Sequence, residues 1–96
     1  MFSWDARKAQ ANFAKHGVAF EEAATVFLDP AGLDWADPAH SRHERRCKRL
    51  GRSLADRVLL LVYTVRRMPH GQETIRIISA RQASRKERTA YAGPPH

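Results

Sequence analysis

A chain of 96 residues, 43% of them hydrophobic, encloses one core and no more, and that apolar content excludes the disorder that goes with low hydrophobicity and high charge. A single cysteine, Cys47, excludes an intrachain disulfide, the longest apolar run falls far short of the roughly 20 residues of a membrane-spanning helix, and the opening MFSWDARK is charged where a secretory signal needs an apolar stretch. The expectation is one cytoplasmic domain over residues 1–96 with no membrane partner, and its net charge of +7 is uneven: residues 1–41 hold three Lys or Arg against six Asp or Glu, residues 42–96 fourteen against four, which favours a polyanionic partner.

Asp5 caps a predicted helix over 6–16, with Lys15 and His16 in the last turn and Gly17 as the left-handed terminator. Ala6, Ala9 and Phe13 share one face of it, and Trp4 precedes the cap as a hydrophobic staple. A second helix is predicted over 20–28, turning Phe20, Ala23, Ala24, Phe27 and Leu28 to the core, with Pro30 as its stop. From Leu33 onward the pattern changes to strands. Connections at 51–56 and 68–73 bracket a run, 57–67, that is apolar on both faces and so reads as an inner strand covered on each side. TIRIISAR, 74–81, alternates more clearly. Ser84 and Glu87 form a capping box that opens a third helix, 85–92, ended by Gly93, Pro94 and Pro95. The fold class is α+β: two N-terminal helices, an antiparallel sheet of about four strands, and a C-terminal helix.

Four blocks stand in a familiar order: WDARKAQANFAKHGVAFEEAATVFLDP (4–30), DPAHSRHER (37–45), GRSLADRVLLLVYTVR (51–66) and IRIISARQASRKERTAY (75–91). Together they cover nearly the whole chain and resemble the BrnT toxins, a family of RelE-like ribonucleases. KHGV with FEEA, HS followed by a Glu, and RIISAR leading into ER and a Tyr are specific in combination. The resemblance implies a RelE-like fold, RNA cleavage that blocks growth, and inhibition by a BrnA-like antitoxin with a ribbon-helix-helix DNA-binding domain. A dimeric antitoxin would gather two toxin chains. The connection MPHGQET, 68–74, is longer than the family's usual one, so the flanking strand ends carry over least safely.

Metal-free RNA cleavage uses the 2′-hydroxyl as internal nucleophile, so the protein needs a proton acceptor, a proton donor and cations around the phosphorane, with no cofactor or metal. In a regular strand Arg81 falls on the side of Ile75, Ile77 and Ser79 and Arg76 on the other, so the two do not serve one phosphate unless the sheet bends. Arg81 is assigned the transition-state charge and Arg76 a binding or structural role; the alternative pairs Arg81 with Glu87. His40 and Glu44, four residues apart, would share a helical face as a proton-transfer pair, and both match the family's block; alternatively His40 is a turn residue and Ser41 with Glu44 a capping box. Tyr91 resembles the aromatic that RelE-like enzymes hold near the scissile bond, or packs on the sheet. Arg45, Arg46, Lys48, Arg49 and Arg52 form a basic run that alternates between two faces if it is a strand. With Arg66 and Arg76 it supplies the expected RNA contacts, or docks an acidic antitoxin segment, and no aromatic interleaves it.

His40, His43 and Cys47 would align as metal ligands on a helix, but no second ligand pair accompanies them. The first two helices resemble a helix-turn-helix DNA-binding regulator, which the acidic start of the second, FEEAA, opposes. A non-catalytic basic RNA-binding module is the remaining alternative.

Overall fold

The computed structural model describes residues 1–94. Asp5 caps α1 (Ala6–His16), its Oδ1 accepting from the N–H groups of Arg7 at 2.9 Å and Lys8 at 3.1 Å, and Gly17 closes the helix at φ 68° with its N–H on the Phe13 carbonyl. Trp4 packs edge-on against Phe20, 6.0 Å between ring centroids. The side chain that α1 buries is Asn12, whereas Phe13, on one face with Ala6 and Ala9, is 57% exposed.

α2 (Phe20–Thr25) is shorter than expected and tightens into a 3-10 turn, Val26–Leu28. Phe20, Ala23 and Val26 are buried, but Leu28 is exposed. The Glu22 carboxylate accepts from Ser53 Oγ at 2.7 Å and from the guanidinium of Arg57, which pins α2 to the start of the central strand. With its apolar face on the sheet and its acid paired, α2 has no basic face to lay in a DNA groove.

The sheet has five strands, β1 (Phe2–Ser3), β2 (Leu33–Ala36), β3 (Arg46–Arg52), β4 (Val58–Arg67) and β5 (Glu73–Gln82), in the order β1-β5-β4-β3-β2. All neighbours are antiparallel except β1, a two-residue parallel partner of β5 that the sequence pattern does not show. β4 is the inner strand, as expected. α1 and α2 cover one face through Val18, Phe20, Ala23, Val26, Leu59, Leu61, Ile77 and Ala80. α3 (Arg85–Ala92) covers one end of the other face through a smaller cluster of Leu50, Leu60 and Ala83, with Val58 and Tyr91 packed on it. The Ser84–Glu87 capping box forms, and the helix ends at Gly93; Pro95 lies outside the described residues. Among the described residues no helix is long and apolar enough to cross a membrane.

The register between β4 and β5 contains the feature that sets the site. Val62 pairs with Ser79 and Tyr63 with Ile77, so Ile78 is an extra residue without a partner, a β-bulge. Because of it, Ile77 and Ala80 lie on the same helix-covered face although they are three positions apart, an odd spacing that a regular strand puts on opposite faces.

Candidate nucleic-acid interface

Residues directly opposite one another on paired strands share a face of the sheet. Leu59, Leu61 and Tyr63 face the helices, so Leu60, Val62 and Thr64 face away, together with their partners on either side: Leu50 and Arg81, Lys48 and Ser79, Arg46 and Arg76. The bulge thus brings Arg76 and Arg81 to one face, which an unbroken strand forbids. Each lies two residues along the sheet from the middle row of Lys48, Val62 and Ser79, about 7 Å away and within reach of an arginine side chain. Three cations therefore flank a small uncharged floor. α3 covers the neighbouring row and leaves this one open.

Arg81 is 42% exposed at its side chain and forms a fork-to-fork pair with Glu87, at 2.7 and 2.9 Å. The guanidinium beside Glu87 holds that carboxyl far below its usual range, down to about 2, and the ion pair raises Arg81 in turn. The pairing foreseen as the alternative for Arg81 is present. It also places a carboxylate where a phosphate would bind, since both accept the guanidinium fork in the same way.

Tyr91 packs on the Leu50–Leu60 cluster, and its hydroxyl donates to Asp29 Oδ2 at 2.6 Å, a bond that with burial raises the phenol's pKa. The Arg52 guanidinium lies 5.7 Å from the centre of its ring. Tyr91 is thus a packing residue engaged with Asp29, beside the open floor but not aimed into it.

His40 and Glu44 do not share a helix. Pro38–His40 is a single 3-10 turn, and Ser41, instead of capping a helix with Glu44, donates through Oγ to the Asp37 carbonyl at 2.6 Å and accepts from the N–H of Arg46 at 3.0 Å. This stitches the 37–41 turn to the start of β3. His40 Nδ1 sits 3.0 Å from the Asp37 carboxylate, which orients a side chain that is 67% exposed. Glu44 instead pairs with Arg66 at 3.2 Å. Through the bonds of Asp37 and Ser41 to Arg46, the turn that carries His40 adjoins the Arg46–Arg76 row, which lies about 13 Å along β4 from the Arg81 row. The four residues expected to catalyse do not form one cluster.

The basic run divides as strand alternation requires. Arg46, Lys48 and Arg52 lie on the open side, and Arg45 is an exposed residue just ahead of the strand. Arg49 is on the helix side and buried. Its guanidinium donates to the carbonyls of Val26 at 3.1 Å and Asp29 at 2.7 Å and to the Asp34 carboxylate, over the ring of Phe27. Those contacts engage all three guanidinium nitrogens on the buried side, which makes Arg49 a structural clamp. Cys47, opposite Tyr63, also faces the helix side, and among the described residues no three His, Cys, Asp or Glu side chains gather to hold a metal, so the His40, His43, Cys47 set does not assemble.

Trp35, which precedes the basic run in sequence, pairs directly with Lys48. Its neighbour Asp34 reaches the helix side to bind Tyr63 and Arg49, so Trp35 faces the open side, where it is 43% exposed. The alternation of Leu33 and Trp35 was its only trace in the sequence.

Residues 4–87 match the family model of the ribonuclease toxin BrnT of type II toxin-antitoxin systems. Among curated protein sequences none matches the chain. The fold is similar to the crystal structure of the ribonuclease toxin BrnT from Brucella abortus, with a TM-score of 0.63 and 25% sequence identity over 88% of this chain and 99% of that one. A family match over nearly the whole length, joined to an open basic sheet face, shows that this chain belongs to the BrnT family of ribonuclease toxins of type II toxin-antitoxin systems.

Proposed function

We propose that the chain is a metal-independent endoribonuclease acting in the cytoplasm, with residues 1–96 as one toxin domain, and that the open face of its sheet is where RNA is held and cut. The placement of Lys48, Arg76 and Arg81 on one face of the sheet, in and on either side of the Val62–Ser79 row, supports this reading. A phosphate on that floor meets three cations and gains charge on becoming a pentavalent phosphorane, so their attraction is stronger in the transition state than in the ground state. The 2′-hydroxyl attacks the adjacent 3′-phosphorus as the bond to the 5′-oxygen breaks; that oxygen takes a proton from water and leaves as a 5′-hydroxyl end, and a 2′,3′-cyclic phosphate remains on the other fragment. His40, oriented by Asp37, is the proton acceptor for a phosphate bound at its own end of the face, beside Arg46 and the exposed Arg45; for a phosphate on the floor, about 7 Å or more away, that proton passes to water. Arg81 must exchange Glu87 for phosphate to take part. Arg66, paired with Glu44, borders the face, and Tyr91 holds α3 beside it.

The partner that restrains it is a BrnA-like antitoxin with a ribbon-helix-helix domain, two toxin chains to a dimeric antitoxin, covering the same basic face. Purified protein freed of antitoxin is incubated with single-stranded RNA in EDTA, with DNA of the same sequence as control. RNA is expected to break with cyclic phosphate ends while DNA stays whole. Arg81→Ala lowers the rate about 10²–10³-fold, and His40→Ala lowers cleavage at its own end of the face about 10²-fold. Intact RNA under all conditions, with binding retained, leaves a non-catalytic RNA-binding module. Tight, sequence-dependent binding to duplex DNA instead points to a DNA-binding regulator.

A further inference from the structure

We propose that Trp35 is a base-stacking platform: one base of a single-stranded RNA lies on its indole while Lys48 and its neighbours hold the adjoining phosphates. The inference rests on the open face being the RNA site. Trp35 and Lys48 are directly opposed on β2 and β3, with side chains about 5 Å apart at their roots, and the same row continues to the Val62–Ser79 floor.

A large aromatic on a charged surface calls for a reason. Trp35 stands on the outermost strand, whose residues are all exposed, and beside it on the same face Leu33 is also 43% exposed. Trp4, by contrast, is packed against Phe20 in the helix-side core. The surroundings of Trp35 select the occupant. Arg46, Lys48, Arg76 and Arg81 share its face, and an apolar ring bordered by cations matches a polymer that carries a flat apolar base for each phosphate. The indole offers a π-face without a hydrogen-bonding pattern to read a particular base, so the contact fixes where the strand lies more than which sequence it has.

The test uses a 2′-O-methyl oligouridylate, which has no free 2′-hydroxyl and cannot be cut. Wild-type protein is expected to bind it with quenching of tryptophan fluorescence. Trp35→Phe removes the quenching and keeps most of the affinity, because a phenyl ring still stacks. Trp35→Leu, which keeps apolar cover on the strand but has no π-face, weakens binding about 5- to 100-fold. The loss in Trp35→Leu is the same at every salt concentration, whereas Lys48→Ala flattens the dependence of affinity on salt. Phe and Leu variants that bind equally well, or wild-type binding without quenching, overturn the platform while leaving the RNA site in place. No binding by the wild type overturns both. If Trp35→Leu binds the oligonucleotide as tightly as wild type, the ring takes no part in holding RNA and the proposal fails.

Discussion

Arg81 and Glu87 show how one pair serves folding and reserves a cation for chemistry. Glu87 accepts from the Ser84 N–H at 2.8 Å as half of the capping box, and from both arms of Arg81, which ties the first turn of α3 to the end of β5. The folded-state pKa of Glu87, about 2 against an ordinary 4.5, is depressed, so the stability it contributes is present above the ordinary value and is lost as pH falls toward 2. Its side chain is 25% exposed and that of Arg81 42%, so solvent screening reduces the contribution to about 1–2 kcal/mol. Glu87→Gln keeps the amide capping bond and removes the charge. The thermal midpoint of the wild type is therefore expected to exceed that of the variant near pH 6, and the gap to shrink from about pH 4.5 downward and to close only as pH falls to about 2 and the carboxyl is protonated. Glu22, depressed by Arg57, titrates in both proteins and cancels from the difference. A gap between the two midpoints that stays constant from pH 6 to pH 2.5 would show that the pair carries no net charge energy.

At the scale of elements, β5 is positioned by a side chain that imitates a strand. β1 covers its outer edge only at Ile75 and Arg76, and farther along Asn12 takes over: its amide accepts from the Ala80 N–H at 3.0 Å and donates to the Ala80 carbonyl at 2.8 Å and to the Val18 carbonyl at 3.0 Å. Ala80 lies just beyond the bulge and next to Arg81, so this clamp holds the register that turns Arg81 to the open face. Asn12→Ala leaves these buried backbone groups unpaired and is expected to cost about 2–4 kcal/mol in denaturant unfolding, with faster exchange of the Ala80 amide. An unchanged midpoint would assign the pinning of β5 to the apolar contacts alone. What was legible in the sequence follows the same division between local and distant. Asp5, Gly17 and the Ser84–Glu87 box act within one turn of their own helices, and the inner strand β4 declares itself by being apolar on both faces. β1, the bulge at Ile78 and the Asn12 clamp depend on partners far along the chain, so no local pattern records them. His40 and Glu44 were read at helical spacing, but Pro38 and the Ser41 bonds fold 37–41 onto β3. Trp35 was set apart from the basic run because it precedes that run in sequence; strand pairing makes it the run's neighbour.

Across the whole molecule the uneven charge of the sequence becomes a difference between two faces. The helix layer carries Arg7, Lys8 and Lys15 beside Glu21 and Glu22, close to charge balance, while Arg46, Lys48, Arg76 and Arg81 collect on the side that α1 and α2 leave uncovered. A flexible anion is therefore drawn to one face, and the attraction is set by how many phosphates that face neutralises. If those four side chains each displace one counterion from single-stranded RNA, the logarithm of affinity falls with the logarithm of salt at a slope of about −3, and raising salt fourfold weakens binding about 50-fold. Lys48→Ala is expected to bring the slope closer to zero by about 0.7. Arg49→Lys leaves it unchanged, because Arg49 is buried on the other face and touches no solvent-borne anion. A slope near zero would mean that the basic face does not track a phosphate backbone. A slope that moves with Arg49 as much as with Lys48 would place the bound strand on the helix side and remove the open face as the site.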